Sequence, residues 1–322
     1  MNYLLGIFIF ICVLFIYIHI NHQWKRSEDL EIYEMDYNTN AQLQDICDIK
    51  QPVLFHFETI LPSVFENADM NTMSKLYGAE ILNVKDTTDY TKEAGEQSIQ
   101  SVPIKCANVY KVFLNDAGSH YFTENNEWFL EETGYNAKIH PVDDYLKPRF
   151  TAQTKYDYIS GSSNTTTPLR YHLNYRQYYM VTSGKIRVKM TPWKSSKYLH
   201  PIIDYENYEF RSKFNPWVAP TPETEKIRFL EFDVEKGNVL YIPSYWWYSI
   251  QFMDNTSICA VTYNSIMNIM AYSPQWVLYF IQQQNTHTKV VKTIDFNADI
   301  SNKKQPIEPE GEHTEEPSIQ TL

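Results

Sequence analysis

The sequence lacks most of the short motifs that identify common catalytic and metal-binding folds. Its four cysteines, Cys12, Cys47, Cys106 and Cys259, stand singly, with no C-x-x-C pair. This spacing argues against a zinc ribbon or a disulfide framework and fits a reducing compartment. The sequence also contains no G-x-x-x-x-G-K, G-x-S-x-G, H-E-x-x-H or G-x-G-x-x-G. P-loop, hydrolase, zinc-protease and dinucleotide-binding functions therefore lack their minimum residues.

Positive charge and glycine are also scarce. The chain has 28 Lys and Arg against 39 Asp and Glu, a formal charge of −11. A net acidic protein has no general attraction for phosphate, so we expect no nucleic-acid partner. Only 9 glycines occur, whereas 15% of the residues are aromatic. This composition leaves few tight turns and favours β-structure. A hydrophobic content of 43% excludes a wholly disordered chain.

One long uncharged run stands at the N-terminus. Residues 3–20 read YLLGIFIFICVLFIYIHI, and as a helix they would span about 27 Å, near the roughly 30 Å thickness of the hydrocarbon core. Residues 1–5 contain no basic residue and no small-x-small site follows the run, which disfavours a cleaved signal peptide. A buried core helix would usually carry a polar stripe, and the run has none before His19. The pattern predicts an uncleaved membrane anchor over residues 1–26, in contact with the lipid bilayer through residues 3–20.

The charges beside this run predict its orientation. Lys25 and Arg26 follow it and no base precedes it, so the positive-inside rule predicts a single-pass protein with its large domain on the cytoplasmic side. The glycosylation sequons at Asn164 and Asn255 would be used only if that domain faced the lumen.

Composition divides the remaining chain into three parts. Residues 27–44 are polar and acidic, which predicts a linker. Residues 45–291 predict one domain with a helical N-terminal extension. Residues 292–322 hold seven acids against three lysines, which predicts an acidic disordered tail.

The domain itself changes pattern near residue 150. Beyond it, short runs of alternating apolar residues are separated by Gly184, Gly237 and prolines, which predicts a β-sandwich or closed barrel. Before it, residues 121–134 predict an amphipathic helix that docks Trp128, Phe129 and Leu130 on a sheet, and residues 274–291 predict a second helix. The adjacent Trp246 and Trp247 must point to opposite faces of a strand, one to the core and one to a helix.

Two segments resemble the cupin-like branch of the JmjC-type domains. The first is TPLRYHLNYRQYYMVTSGKIRVKMTPW, residues 167–193, and the second is GNVLYIPSYWWYSIQ, residues 237–251. The upstream KQPVLFHF, residues 50–57, is similar to the N-terminal extension of that family, so the resemblance covers roughly residues 45–285. It implies a mainly β fold, a double-stranded β-helix or jelly roll with flanking α-helices.

The resemblance also implies a metal site, and here the sequence departs from the family. Active members hold Fe(II) with a His, a carboxylate two residues later and a distal His after a Trp pair, leaving room for 2-oxoglutarate and oxygen. Counted forward from the Thr-Pro-Leu run, Arg170 and His172 take the first two places. Counted back from the glycine turn, Tyr171 and Leu173 take them. Tyr248 stands in the distal place, and neither counting restores the three ligands.

These replacements suit a pocket better than a metal centre. A guanidinium stays protonated and repels a metal cation, and Tyr248 would have to ionise before it could bind one. We therefore assign no catalytic or metal residue, and expect Arg170, Tyr171, His172 and Tyr248 to line a vestigial ligand pocket. The place from which many members bind the 2-oxoglutarate carboxylate is taken by Ile186.

The leading hypothesis is a membrane-anchored cupin-like protein without cofactors, a binding or structural module that has lost catalysis and whose protein partner is unknown. The alternative is an Fe(II)- and 2-oxoglutarate-dependent hydroxylase with relocated ligands, such as His172 with Asp233 or Glu231. A third hypothesis, a component of a viral envelope or virion membrane, follows from the bias toward Asn, Ile, Lys and Tyr, which is typical of AT-rich genomes, and from the cupin-like proteins of large DNA viruses.

Overall fold

The computed structural model describes residues 2–90, 99–218, 222 and 224–284. The strands are β1 (Tyr33–Asp36), β2 (Val53–His56), β3 (Ile81–Asp86), β4 (Val102–Lys105), β5 (Tyr121–Thr123), β6 (Thr151–Gly161), β7 (Arg170–Tyr171), β8 (Arg176–Ser183), β9 (Lys185–Thr191), β10 (Ile202–Asp204), β11 (Glu209–Arg211), β12 (Leu230–Glu235), β13 (Asn238–Ile242), β14 (Trp247–Phe252) and β15 (Ser257–Ser265). The helices are α1 (Asn2–Gln23), α2 (Asn40–Cys47), α3 (Met70–Leu76), α4 (Cys106–Asn115), α5 (Glu127–Glu132), α6 (Asn136–Ile139), α7 (Asp143–Leu146), α8 (Ser196–Leu199), α9 (Ile266–Ala271) and α10 (Ser273–Gln284).

The strands form two sheets that enclose a barrel-like core. One sheet has nine strands in the order β1-β2-β13-β8-β15-β6-β5-β3-β4, and the other has six in the order β10-β11-β7-β14-β9-β12. Pairing among the described strands is antiparallel except between β1 and β2. Gly184 (φ +67°) and Gly237 (φ +89°) make the tight turns into β9 and β13, where a side chain would be strained. The prediction of a mainly β jelly roll with flanking helices is confirmed.

Alternation along the strands places two apolar layers on the two faces of the larger sheet. In β8, Tyr178 and Met180 point to the outer face, whereas Tyr179 and Val181 point into the space between the sheets. Strands β13 and β15 alternate in the same way, as a strand with two buried faces must. The inner layer is the barrel core, and the outer layer is the floor on which the N-terminal extension packs.

The extension covers the outer face of the nine-stranded sheet with helices α2 to α7. Side chains of Thr39 and Asp69 cap α2 and α3 by accepting hydrogen bonds from backbone N–H groups. The predicted helix over residues 121–134 was wrong in part. Tyr121 to Thr123 form strand β5, and α5 begins only at Glu127, because β5 is needed to join β3 to β6.

The docking face of α5 was also predicted wrongly at one residue. Phe129 and Leu130 are buried, but Trp128 is 68% exposed, because adjacent helical positions point about 100° apart and only one arc meets the sheet. The two adjacent tryptophans, Trp246 just before β14 and Trp247 at its start, behave as predicted. Trp246 lies in the barrel core, and Trp247 lies on the other face, where its indole N–H donates to Ser196 Oγ of α8 at 2.7 Å.

The polar stretch 27–44 carries structure of its own. Within it, β1 pairs in parallel with β2 and extends the nine-stranded sheet, and α2 begins at Asn40. A linker was expected there because the composition is polar, but a short edge strand needs few apolar residues when only its inner face is covered. The predicted tail 292–322 and the end of the helix predicted over 274–291 lie outside the described residues.

An aromatic layer lies on the outside of the six-stranded sheet, where α1, α8, α9 and α10 meet. We call it the outer aromatic layer. Helix α1 packs against α9, and Tyr272 Oη donates to the backbone oxygen of Gln23 at 3.1 Å. The Arg26 guanidinium lies over the rings of Trp193 and Tyr245, 4.5 and 3.9 Å from their centroids. The residues Tyr3–Gln23 of α1 are long and apolar enough to cross a membrane, and their apolar window is not buried in the protein.

Candidate functional site at the mouth of the barrel

A cavity of about 430 Å³ opens at one end of the barrel. Strands of both sheets line it, together with α10, and Arg170, Tyr171, His172 and Tyr248 are all among its lining residues. The four residues that the sequence predicts for a pocket thus lie at this cavity, but Tyr171 directs its ring away from it. The lining is polar and carries five acids against three bases.

Strand pairing decides which counting of the family pattern applies. Arg170 of β7 and Tyr248 of β14 are direct cross-strand partners, and the guanidinium carbon lies 5.6 Å from the centre of the Tyr248 ring. Tyr171 points the other way, and its ring stacks on Phe210 at 5.2 Å in the outer aromatic layer. Leu173 lies in that same layer. The structure thus agrees with the count that runs forward from the Thr-Pro-Leu run, in which Arg170 and His172 are directed to the cavity.

Arg170 is the centre of a buried ionic network. Its two terminal nitrogens contact the two carboxylate oxygens of Glu124 at 2.7 and 2.5 Å, and one of them lies 3.2 Å from Glu209. Lys85 donates to Glu124 from the opposite side at 2.8 Å. Arg211 then joins Glu209, at 3.8 Å, to Asp204, at 3.3 Å. Three cations and three anions alternate along this chain, Lys85, Glu124, Arg170, Glu209, Arg211 and Asp204.

The network keeps its charges because each member faces an opposite charge. Burial alone raises the pKa of Glu124, but the positive charges of Arg170 and Lys85 outweigh it and hold that pKa well below the usual range. Burial likewise opposes the charge on Arg170, and the Glu124 carboxylate more than compensates, so the Arg170 pKa stays far above neutrality. Bidentate contacts of this kind are the strongest ion pairs that side chains make.

His172 uses both ring nitrogens in contacts with the protein backbone. Nδ1 accepts from the N–H of Asn174 at 3.2 Å, so Nε2 carries the proton and donates to the carbonyl oxygen of Ile242 at 3.0 Å. Burial lowers the pKa of His172 to about 3, helped by the nearby positive charge of Arg170. The ring is thus neutral, and neither nitrogen has a lone pair free for a ligand.

Tyr248 belongs to a hydrogen-bond cluster in the cavity wall. Its hydroxyl lies 3.2 Å from the hydroxyl of Tyr179, and the Gln177 side chain donates to both, at 3.1 and 3.0 Å. Two atoms nearby have no hydrogen-bond partner among the described residues, Arg170 Nε and Glu209 Oε2. Both atoms are buried in the ionic wall, and Glu209 Oε2 lies 3.8 Å from Arg211 Nη1.

The comparison with protein families agrees with this geometry. A family model of the cupin-like domain matches residues 62–268. The chain belongs to the cupin-like domain family. A comparison with curated proteins finds no match.

The iron site that the family resemblance implies does not fit the residues of this cupin-like barrel. A guanidinium ion-paired to Glu124 occupies the first ligand place, and both nitrogens of His172 are committed to the backbone. Tyr248 could bind a metal only as a phenolate, and its hydroxyl is already hydrogen-bonded with Tyr179 and Gln177. Among the described residues no group of three or more His, Cys, Asp or Glu side chains could hold a metal ion.

The relocated ligands of the alternative hypothesis lie elsewhere in this cupin-like fold. In β12, Val234 points into the barrel core, so Glu231 and Asp233 point outward. Asp233 there receives Lys185 and Arg187, each at 2.9 Å. His172 lines the interior cavity. The structure thus does not bring His172 together with either carboxylate.

The pocket for the 2-oxoglutarate carboxylate is also changed. Ile186 is fully buried in the barrel core, and its neighbours Lys185 and Arg187 lie on the outer face of β9, as alternation along a strand requires. No basic side chain of β9 therefore reaches the interior. Two of the three cations at the cavity, Arg170 and Lys85, are already paired with Glu124, and the third, Lys155, is exposed.

The carboxylates that hold Arg170 were not predicted from the sequence. Glu124 follows β5 and Glu209 begins β11, 46 and 39 residues from Arg170 in the chain. Glu124 reaches the cavity because β5 pairs with β6 at the edge of the barrel. The available signal was a buried arginine in an apolar strand, which requires a carboxylate partner without identifying it.

Proposed function

We propose that this protein is a membrane-anchored cupin-like module that binds a small polar ligand in its barrel and performs no iron chemistry. One observation carries the proposal. Arg170, at the place of the first metal ligand, is locked between Glu124 and Glu209, so a fixed organic cation stands where an oxygenase needs an electron-pair donor. Helix α1 supplies the anchor, and Lys25 beyond its end favours a cytoplasmic domain.

The chemistry of the cavity restricts the ligand. Its acids outnumber its bases, and two of its three basic side chains, Lys85 and Arg170, are paired with Glu124 and Glu209. A dianion such as 2-oxoglutarate would therefore meet net repulsion. The amide side chains of Asn174 and Gln177 line the cavity, and the ring of Tyr208 stacked on Trp276 at 4.8 Å offers an apolar wall. This set suits a compact molecule with hydroxyl or amide groups and no negative charge.

The test is metal and cosubstrate binding by the full chain, purified in a mild detergent without oxygen. Iron content after incubation with Fe(II) and 2-oxoglutarate, and succinate released on addition of oxygen, are the two readouts. We expect substoichiometric iron and no succinate. One tightly held iron per chain with succinate formation would overturn the proposal.

A matched variant shows that the assay can detect iron in this fold. Arg170→His, His172→Asp and Tyr248→His together recreate the family's ligand set on the same strands. We expect this triple variant to take up more iron than the natural chain, because two imidazoles and one carboxylate then face one point. Equal iron in both proteins would show that Arg170 does not exclude the metal.

A further inference from the structure

The last two described helices expose an apolar surface that the other described residues leave uncovered. From Ile266 to Gln284 the sequence contains no charged residue and no histidine. Six of its large apolar side chains are 41 to 61% exposed, namely Ile266, Met270, Val277, Leu278, Phe280 and Ile281. A continuous patch of this kind on a folded domain indicates contact with something apolar. We call these six residues the α9–α10 patch.

Helix α10 is fixed to the domain by its other face. Trp276 stacks on Tyr208 at 4.8 Å, and the side chain of Gln283 donates to the backbone oxygen of Glu206 at 2.7 Å. The polar and aromatic side of α10 therefore faces the protein. Val277 and Ile281, one helical turn apart, point outward on the opposite side.

The patch is continuous with the end of α1. Helix α1 packs on α9, and Tyr272, between α9 and α10, donates to the Gln23 backbone oxygen. Beyond the helix, Lys194 of the aromatic layer donates to the backbone oxygen of Glu28 at 2.6 Å. The exit point of α1 and the α9–α10 patch are thus parts of one surface of the domain.

The length of α1 sets how close this surface must come to a bilayer. The freely exposed part of α1 runs from Tyr3 to Ile18, since Ile20 packs in the outer aromatic layer and Gln23 is buried. Sixteen helical residues span about 24 Å, less than the roughly 30 Å of hydrocarbon. The last turn of α1, which docks on the domain, must therefore also lie at the hydrocarbon boundary.

From these observations we infer that the α9–α10 patch is seated in the interface of the same bilayer that α1 crosses, as a second, non-spanning lipid contact. This rests on the proposed membrane anchor. Val277, Leu278, Phe280 and Ile281 enter the boundary between headgroups and acyl chains, in the way of an amphipathic helix lying in the membrane plane. The exposed Lys25, Lys194 and Lys197 surround the exit of α1 and suit anionic headgroups.

The inference can be tested by spin labelling of the full chain in vesicles of phosphatidylcholine and phosphatidylglycerol. Cys47, Cys106 and Cys259 are buried, and burial raises the pKa of each thiol to about 11, 12 and 12, so they stay unreactive in the folded protein. Cys12→Ser removes the cysteine within the span. Labels are then placed one at a time through Val277→Cys and Ile281→Cys on α10.

Two further labels calibrate the measurement. Val13→Cys reports on the span, and Trp128→Cys reports on the far side of the domain, because α5 packs on the opposite sheet. Each label is scored by its collision rates with oxygen, which concentrates in lipid, and with a polar nickel chelate, which stays in water. We expect oxygen to exceed nickel severalfold at residues 13, 277 and 281, and the reverse at residue 128.

The possible results separate this inference from the anchor on which it depends. A lipid signature at residue 13 with an aqueous one at 277 and 281 would overturn the patch contact and leave the anchor standing. An aqueous signature at residue 13 would overturn both. Shielding of 277 and 281 from both collision partners would show that a protein surface, such as a second copy, covers the patch, and would also refute the inference.

Discussion

The ionic network predicts that Arg170 is one of the most sensitive positions for folding stability. Its guanidinium is buried and makes two short contacts to Glu124 and one to Glu209. Arg170→Met keeps a flexible apolar side chain of similar length but removes the charge. Glu124 then retains only Lys85 as a partner, at 2.8 Å.

The expected loss is about 3–5 kcal/mol in the free energy of unfolding, because removing one member of a buried ion pair leaves the other charge without compensation. Domains of this size are stable by about 5–15 kcal/mol, so the substitution removes a large fraction of the total. The loss should shrink at low pH. Without Arg170, burial raises the pKa of Glu124, and a protonated Glu124 no longer needs a cation.

The assay is urea unfolding of the full chain in a mild detergent, followed by tryptophan fluorescence, at pH 7.5 and pH 5. Arg187→Met is the matched control, because Arg187 contacts Asp233 at 2.9 Å on the exposed face of the sheet and surface pairs contribute little. Adding Glu124→Gln to Arg170→Met should recover part of the loss, since a neutral amide can still accept from Lys85. Equal midpoints for Arg170→Met and the natural chain at pH 7.5 would refute the reasoning.

Three further outcomes are expected. Because burial lowers the pKa of His172 to about 3, and its ordinary value is near 6.5, only the unfolded chain binds this proton between those values. The contribution of the neutral His172 ring to folding stability is therefore complete above pH 6.5 and falls with pH, by about 2 kcal/mol at pH 5. His172→Gln should flatten the plot of unfolding free energy against pH over that range, and an unchanged slope would exclude a neutral buried ring. Asn164 and Asn255 are both exposed, so a cytoplasmic domain expressed in eukaryotic cells should show no mobility shift with endoglycosidase, whereas a shift would reverse the orientation. Tyr248→Phe should destabilise the chain by about 1–2 kcal/mol in the same urea assay, because Gln177 loses a buried acceptor; an unaltered midpoint would show that water replaces it.

The parts of the site that the sequence predicts are those fixed by strand periodicity. Arg170, His172 and Tyr248 share the cavity because alternate residues of one strand face the same side and β7 pairs with β14. Tyr171 was grouped with them because the sequence alone allows two countings of the motif. The pairing of Arg170 with Tyr248 selects one of these countings and leaves the Tyr171 ring in the outer aromatic layer of the six-stranded sheet.

The parts that were not predictable depend on contacts distant in sequence. Glu124 and Glu209 approach Arg170 only through the order of strands in two sheets. Strand β1 and strand β5 have only 4 and 3 residues, too few for a periodic signal, so one was taken for a linker and the other for the start of a helix. Trp128 was misplaced because composition does not fix the rotation of a short helix about its axis.

The network also explains how the barrel mouth can keep its fold without a metal. In a metal-binding barrel a divalent cation holds together side chains from strands that would otherwise meet as unpaired polar groups. Here Arg170 holds together Glu124 beside β5 and Glu209 of β11, and its charge cannot dissociate with the concentration of a metal. Both terminal nitrogens of Arg170 contact carboxylates, and a guanidinium has no lone pair with which to bind a metal ion. Arg170 therefore links these two segments through ion pairs without offering a metal an electron-pair donor.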